Sequence, residues 1–288
     1  RLAYNGAIPS QIPMSNPPTF TDPAKAHGTP LRCHTVVPCA GVGQRALQAG
    51  QALAKQYQAL DGLPLVVHTL RALGFVSAQE ASGGAWHTGS QVAVLSPSDD
   101  LWPSVVAPLV SGWLAAPVGG SSRAESVLNG LQYLLDSCDA QPSDWVLVHD
   151  AARCLVQPSA IHTLIAACVM HKRGGLLAQP VPDTIKVARQ DDLGEGVAAV
   201  ADTVARSGKW LAQTPQLFKL GSLLNALRDA QADEQAWPHI TDEASAMERM
   251  GQSPLLVPSG IDNFKVTYPT DFELARVMLR GRNAQTNT

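Results

Sequence analysis

The residues best suited to chemistry stand close together early in the chain: Pro38-Cys39-Ala40-Gly41-Val42-Gly43-Gln44-Arg45, followed by Lys55-Gln56-Tyr57. A β-branched run at Val36-Val37 feeds a Gly-x-Gly loop, whose backbone N–H groups are open to an anion. Arg45 and Lys55 bring two positive charges to the same loop, and the combination suits a triphosphate. The same letters satisfy G-x-G-x-x-G/A through Gly41, Gly43 and Ala46, and Asp61 follows at about the distance of the ribose-binding acid in an NAD(P)-binding fold. Pro38 and the turn-like Asp61-Gly62 argue against that second reading, because the acid should end a second apolar strand. The third reading is a surface turn with two solvated cations.

Two later segments add donors and a carboxylate. Gly119-Gly120 precedes Ser122-Arg123-Ala124-Glu125, which has the capping-box pattern and opens a helix with Val127, Leu128, Leu131, Leu134 and Leu135 at helical spacing. Trp145 to Val148 reads as a buried strand ending in His149-Asp150.

Strand and helix patterns alternate around these motifs. A helix is expected over Leu63 to Leu73, a surface connection over Ser77 to Gln91 and a short strand over Val92 to Leu95. Leu101 to Leu114 reads as helical with a break at Pro108, and Pro158 to His171 as a helix closed by Gly174-Gly175. Gln179 to Phe218 breaks the alternation with short β-like runs between prolines, which predicts a projecting antiparallel arm. Helices follow at Leu223 to Ala230 and Asp242 to Met250, strands at Leu255 to Val257 and Phe264 to Thr267, and a closing helix at Thr270 to Arg280. The expected fold class is α/β, a Rossmann-like, mostly parallel sheet flanked by helices. In such sheets ligands sit outside the carboxyl ends of the strands, where the Gly41 loop, Gly119-Gly120 and Asp150 all fall.

The 288 residues are 45% hydrophobic and 16% charged, enough to bury a large core. A net charge of −3 offers no basic excess for a nucleic-acid backbone. Five scattered cysteines without a C-x-x-C pair fit reduced thiols in a cytoplasmic protein. No run approaches the roughly 18 apolar residues of a membrane span. Residues 1–31, rich in Pro, Ser, Thr and Asn, read as a disordered extension, 32–280 as one domain with its arm at 179–218, and 281–288 as a disordered tail.

In order along residues 34–280, the motifs resemble those of the 2-C-methyl-D-erythritol 4-phosphate cytidylyltransferase family of the non-mevalonate isoprenoid pathway. They include Gly119-Gly120-x-x-Arg123-Ala124, His149-Asp150-Ala151-Ala152-Arg153, Pro182-Asp183-Thr184-x-Lys186, Gln213-Thr214-Pro215-Gln216, Thr241-Asp242-Glu243-Ala244-Ser245 and Asp262-Asn263-x-Lys265-Val266-Thr267, beside the first loop. Ribitol-5-phosphate cytidylyltransferases share the fold and the nucleotide loop and remain an alternative, as does a non-catalytic nucleotide-binding protein. Gln44, Cys39, Ala54, Ser121-Ser122 and Ala205 depart from the usual residues, the stretch from Arg45 to Lys55 looks longer than usual, and no Pro follows Arg153.

The resemblance implies transfer of CMP from CTP to methylerythritol phosphate with release of pyrophosphate. It implies catalytic roles for Arg45, Lys55 and Lys265, and nucleotide contacts from Cys39, Ala40, Gly41, Val42, Gly43, Gly120, Ser121, Ser126 and Asp150. Thr184, Arg206, Asp262 and Thr267 match positions around the second substrate, and Asp150 is the candidate ligand for Mg²⁺. Arg123 is read as bracing its loop, His149 as a packed histidine, and Asp242 and Glu243 as acids that complement a helix dipole. The arm is expected to form a two-fold homodimer, with Thr184 and Arg206 completing the neighbour's site.

Overall fold

The computed structural model describes residues 31–41, 53–80, 86–189 and 196–286. Val42, Gly43, Gln44 and Arg45 lie outside these, as does all but the last residue of the expected N-terminal extension.

A seven-stranded sheet runs in the order β11-β7-β10-β6-β1-β4-β5. Its members are β1 (Leu31–Pro38), β4 (Trp86–Val94), β5 (Trp113–Ala116), β6 (Trp145–Val148), β7 (Gly175–Pro180), β10 (Trp210–Lys219) and β11 (Leu255–Pro258). β10 alone among these runs antiparallel, between β6 and β7. The others run parallel, so the turns after β1, β4, β5 and β6 emerge on one edge.

Burial on both faces follows from the alternation of side chains along each strand. Val37, Ala93, Leu95 and Leu147 point to one layer and pack with α1 (Leu65–Glu80) and α4 (Pro158–His171). Val36, Val92, Val94, Val146 and Val148 point to the other, against α3 (Arg123–Ser137), α5 (Leu220–Gln231) and α6 (Glu243–Arg249). A smaller cluster of Leu60, Leu65, Leu155, Val266 and Phe272 seats α7 (Pro269–Thr286). No helix among the described residues is long and apolar enough to cross a membrane.

Several sequence expectations need correction. α1 continues to Glu80 and β4 begins at Trp86, where a surface connection was expected. Gly89 gives that stretch a loop-like look, yet the strand requires it: a Cβ there would stand 2.5 Å from the ring of buried His34. The expected helix Leu101 to Leu114 is a four-residue α2 (Trp102–Val105), a 3₁₀ turn and the edge strand β5. Lys172, at φ 49°, caps α4 in place of Gly174-Gly175, and Gly175 starts β7. Phe264 to Thr267 forms no strand; Val266 N–H instead donates to the Ala152 carbonyl at 2.9 Å. α7 runs on to Thr286, through most of the expected tail.

The arm is real but shorter than expected. β8 (Ile185–Arg189) and β9 (Ala199–Val204) form a separate antiparallel hairpin, whereas β10 belongs to the main sheet. Thr184 and Arg206 flank this hairpin.

Candidate active site

Backbone hydrogen bonds lace the strand ends together before any side chain contributes. Cys39 N–H donates to Val94 O, Leu95 N–H to Ala116 O and Gly119 N–H to Leu95 O, each at 2.8 Å, and His149 N–H to Val36 O at 3.0 Å. Gly119 lies so close that a Cβ would stand 2.3 Å from Ala40 Cβ and 2.6 Å from Leu95 O. The loops after β1, β4 and β5 therefore pack as one surface.

Above this edge opens a cavity of about 420 Å³. Cys39, Ala40, Gly41, Lys55, Gly120, Ser121, Ser126, Asp150 and Lys265 all line it, together with Arg123. Three cations thus face one carboxylate, a balance suited to a multiply charged anion. Another cavity, of about 440 Å³, lies at the other end of the strands around Trp145 and Lys219, away from the Gly-rich loops and without a carboxylate in its lining.

Asp150, 7% exposed, is the hub. Its Oδ1 accepts from Arg123 Nε at 2.7 Å, its Oδ2 lies 2.9 Å from Lys265 Nζ, and Arg153 Nε stands 3.7 Å from Oδ2. Burial alone would raise its pKa, but Arg123, Lys265 and Arg153 outweigh burial and hold the carboxyl well below the usual range. Arg123 forks its Nη1 and Nη2 onto Glu243 at 2.7 and 3.1 Å. The sequence reading of Arg123 as a loop brace and of Glu243 as a dipole complement missed this pairing. Asp242 does cap α6, accepting from Ser245 N–H at 2.9 Å.

At α3, Ser122 accepts from Glu125 N–H at 3.1 Å, but the Glu125 carboxylate accepts from Ser121 N–H at 2.7 Å, one residue before the expected partner. Gly120 N–H donates to Ser126 Oγ at 3.1 Å, which fixes the Gly120-Ser121 backbone at the cavity rim. Lys55 opens a 3₁₀ turn anchored by Gln56 Nε2 to Cys39 O at 2.7 Å and Tyr57 OH to Asp99 at 2.5 Å.

His149 is fully buried. A carbonyl can only accept, so Nε2 carries the proton toward Arg153 O at 3.1 Å, and Nδ1 accepts from the Thr214 hydroxyl at 3.1 Å. Thr214 Oγ1 in turn accepts from Asp150 N–H at 2.9 Å. Burial pushes His149 down to about 4, so it is neutral and its lone pair is occupied. The expectation of a packed, hydrogen-bonded histidine holds.

The second-substrate candidates are dispersed. None of Thr184, Arg206, Asp262 and Thr267 lines the cavity. The Arg206 guanidinium donates to the Pro182 carbonyl on the arm. Asp262 accepts from Arg282 Nη2 at 2.7 Å and Gln157 Nε2 at 3.2 Å, and Thr267 Oγ1 donates to Lys265 O at 3.1 Å. Asn263, whose role the motif did not reveal, donates to Thr214 O at 2.8 Å and to Gln213 at 2.9 Å, fixing the segment that carries Lys265.

The dinucleotide reading fails on Asp61. It occupies a tight turn between β2 (Ala59–Leu60) and β3 (Leu63–Pro64) and accepts from Arg280 Nε at 2.7 Å, where a ribose acid would end a sheet strand.

A mostly parallel sheet with a cationic, Gly-lined cavity at its carboxyl edge and a projecting hairpin defines a nucleotidyltransferase-type α/β enzyme. The model of the 2-C-methyl-D-erythritol 4-phosphate cytidylyltransferase family matches residues 33–281, and the chain belongs to that family. Its members join CTP and methylerythritol phosphate into 4-diphosphocytidyl-2-C-methylerythritol, in the non-mevalonate isoprenoid pathway, and this chain is such a cytidylyltransferase. The chain is 45% identical to the Chromobacterium violaceum enzyme of that name, over 86% of its own length and 98% of the relative's. It is 47% identical to the bifunctional enzyme IspD/IspF of Albidiferax ferrireducens, covering 89% of this chain but only 55% of that relative. Among solved structures, a 4-diphosphocytidyl-2C-methyl-D-erythritol synthase superposes with a TM-score of 0.67 at 34% identity, over 86% of this chain and 99% of the other. The Francisella tularensis cytidylyltransferase gives 0.66 at 28%, over 85% and 98%.

Proposed function

We propose that the cavity at the carboxyl edge holds the CTP triphosphate, with the backbone of Cys39 to Gly43 and the side chains of Arg45 and Lys55 around it. The observation that carries this reading is the convergence of Lys55, Lys265 and Asp150 on one Gly-lined cavity. The cytosine and ribose lie along Gly120, Ser121 and Ser126, whose rim is fixed by the Gly120–Ser126 bond.

A phosphate oxygen of methylerythritol phosphate attacks the α-phosphorus, forming the new P–O bond. The bond to the bridging β-phosphate oxygen breaks, and its electron pair leaves with pyrophosphate. Negative charge gathers on the α-phosphate oxygens, so Lys265 and Lys55 bind the transition state more tightly than the ground state. No side-chain base is required, because the attacking phosphate is already ionised. His149, buried and with its lone pair taken by Thr214, holds Asp150 in place instead.

The donor set suits Mg²⁺ in one form. Among the described residues no cluster of three or more His, Cys, Asp or Glu side chains could hold a metal, so a caged ion does not fit. Each Asp150 oxygen, however, makes one hydrogen-bond-length contact to Arg123 or Lys265 and keeps a lone pair. Asp150 can therefore contribute one ligand to an ion otherwise held by phosphate oxygens and water, where it would neutralise the triphosphate.

Asp150→Asn, which keeps the shape and removes the charge, tests this reading. Pyrophosphate release should fall at least about a hundredfold with the fold intact, and the wild type should lose turnover in excess EDTA and regain it with Mg²⁺. Full activity of Asp150→Asn, or turnover unaffected by EDTA, would mean that Asp150 does not serve as a ligand to a catalytic ion.

A further inference from the structure

The cavity at the opposite end of the strands has a charge balance unlike that of the carboxyl edge. Lys172, Arg173 and Lys219 line its volume of about 440 Å³, and no acid does. Lys172 and Arg173 directly follow α4, whereas Lys219 ends β10, so the three reach the cavity from separate elements. Their contacts are with neutral groups: Lys219 Nζ donates to Ser143 O at 2.6 Å and stands 4.5 Å from the centroid of the Trp145 ring, and Arg173 Nη1 makes a long 3.4 Å contact with Ser253 O. The acid that acts on Lys219 is Asp144, whose Oδ2 already accepts from His34 Nε2 at 3.1 Å and Gln141 N–H at 2.8 Å. Burial outweighs it and holds Lys219 below the ordinary lysine range. Trp145, also in the lining and 5% exposed, keeps its indole N–H without an acceptor among the described residues. Acceptors are as short here as acids.

Helix ends do not supply the missing charge. The carboxyl ends of α4 and α6 bring at most about half a negative charge each, and the amino end of α5, which no side chain caps, returns about half a positive one. Roughly two to three positive charges are left without a counterion. A cavity of this size suits a small molecule better than a single simple ion.

We infer that this cavity is a second anion site, which binds a diphosphate group, free or esterified, between Lys172, Arg173 and Lys219. A diphosphate spreads its charge over two phosphates, which matches cations that come from separate elements, and the Arg173 guanidinium suits two oxygens of one phosphate. Ser222 and Ser253 add hydroxyl donors to the lining. Free diphosphate is at hand, because the established reaction releases it.

The test is calorimetric titration of a Lys55→Ala, Lys265→Ala chain, which lacks two cations of the other cavity, with inorganic diphosphate and separately with methyl diphosphate in metal-free buffer. One equivalent should bind with a Kd below about 1 mM. Adding Lys172→Gln and Arg173→Gln, both at exposed positions that the fold tolerates, should weaken binding at least about tenfold. Inorganic phosphate should bind at least about tenfold more weakly than diphosphate. Crystals of the unsubstituted chain grown with diphosphate should show it against Lys219. Tighter binding of the ester supports the site with an esterified ligand, and tighter binding of the free ion supports it with the reaction's own product. Absence of binding, or binding unchanged by Lys172→Gln and Arg173→Gln, overturns the inference. Phosphate bound as tightly as diphosphate would mean an adventitious ion only, and overturns it too.

Discussion

Lys55 Nζ donates a 2.8 Å hydrogen bond to the carbonyl oxygen of Val266, 211 residues further along the chain. Val266 N–H in turn holds Ala152 O, and Ala152 stands two residues after Asp150. The two lysines of the cavity therefore share one frame, in which the turn after β6 fixes the segment bearing Lys265 and that segment's backbone fixes Lys55. Cations held in place before the substrate arrives need no reorganisation during reaction, which is where electrostatic catalysis gains most.

Lys55→Ala and Lys265→Ala should each lower kcat about tenfold to a hundredfold, or about 1.4 to 2.7 kcal/mol of transition-state stabilisation. Steady-state kinetics with varied CTP separates the roles. A rise in KM alone, with kcat preserved, would mean that the lysines only hold ground-state CTP.

The hairpin of β8 and β9 leads to a prediction about assembly. It shares no strand pairing with the main sheet, and Val187, Val197 and Val200 are exposed, the last two by more than half. A lone two-stranded ribbon is marginal in water, so this surface needs a partner, which is proposed to be the same arm of a second copy. Thr184 and Arg206 would then complete the neighbour's site. Mixing the impaired Lys55→Ala and Arg206→Ala chains should raise activity above the average of the two variants measured alone, because a mixed dimer contains one intact site. Verified subunit exchange without recovery would place each site within a single chain.

Stability should fall between pH 6.5 and pH 4. His149 is held down to about 4 by burial, whereas the unfolded chain protonates near 6.5. As the pH drops through this window the unfolded state gains a proton that the native state refuses, costing about 2 kcal/mol by pH 5. His34 and His68, also lowered by burial, add to the slope in the same direction. Asp150 has the opposite origin and the same sign: its stabilisation is complete above the ordinary carboxylate pKa and is lost only in stronger acid. Thermal melts at pH 7 and pH 5 should show a smaller loss for His149→Gln than for the wild type. Identical losses would contradict the neutral, buried state of His149.

What the sequence disclosed depended on how local each signal was. Val146-Leu147-Val148, buried on both faces, and the apolar period of α3 are local signals and could be read directly. β5 could not, since a four-residue edge strand with exposed Leu114 has little pattern to show. The start of β4 was hidden by Gly89, whose reason is His34, 55 residues earlier. At the site, residue types named the cations and the carboxylate. The partnership of Arg123 with Glu243 spans 120 residues and has no spacing signature. The charged pattern in the first turn of α6 could be explained by the helix dipole alone, which concealed it.

The choice of acceptor is the most direct test of the whole. Pyrophosphate release should be measured with CTP, Mg²⁺ and either methylerythritol phosphate or ribitol 5-phosphate, with the product identified by mass. Formation of 4-diphosphocytidyl-2-C-methylerythritol, at a kcat/KM at least about a hundredfold above that for ribitol 5-phosphate, is the expected result. Equal or faster turnover of ribitol 5-phosphate would contradict it.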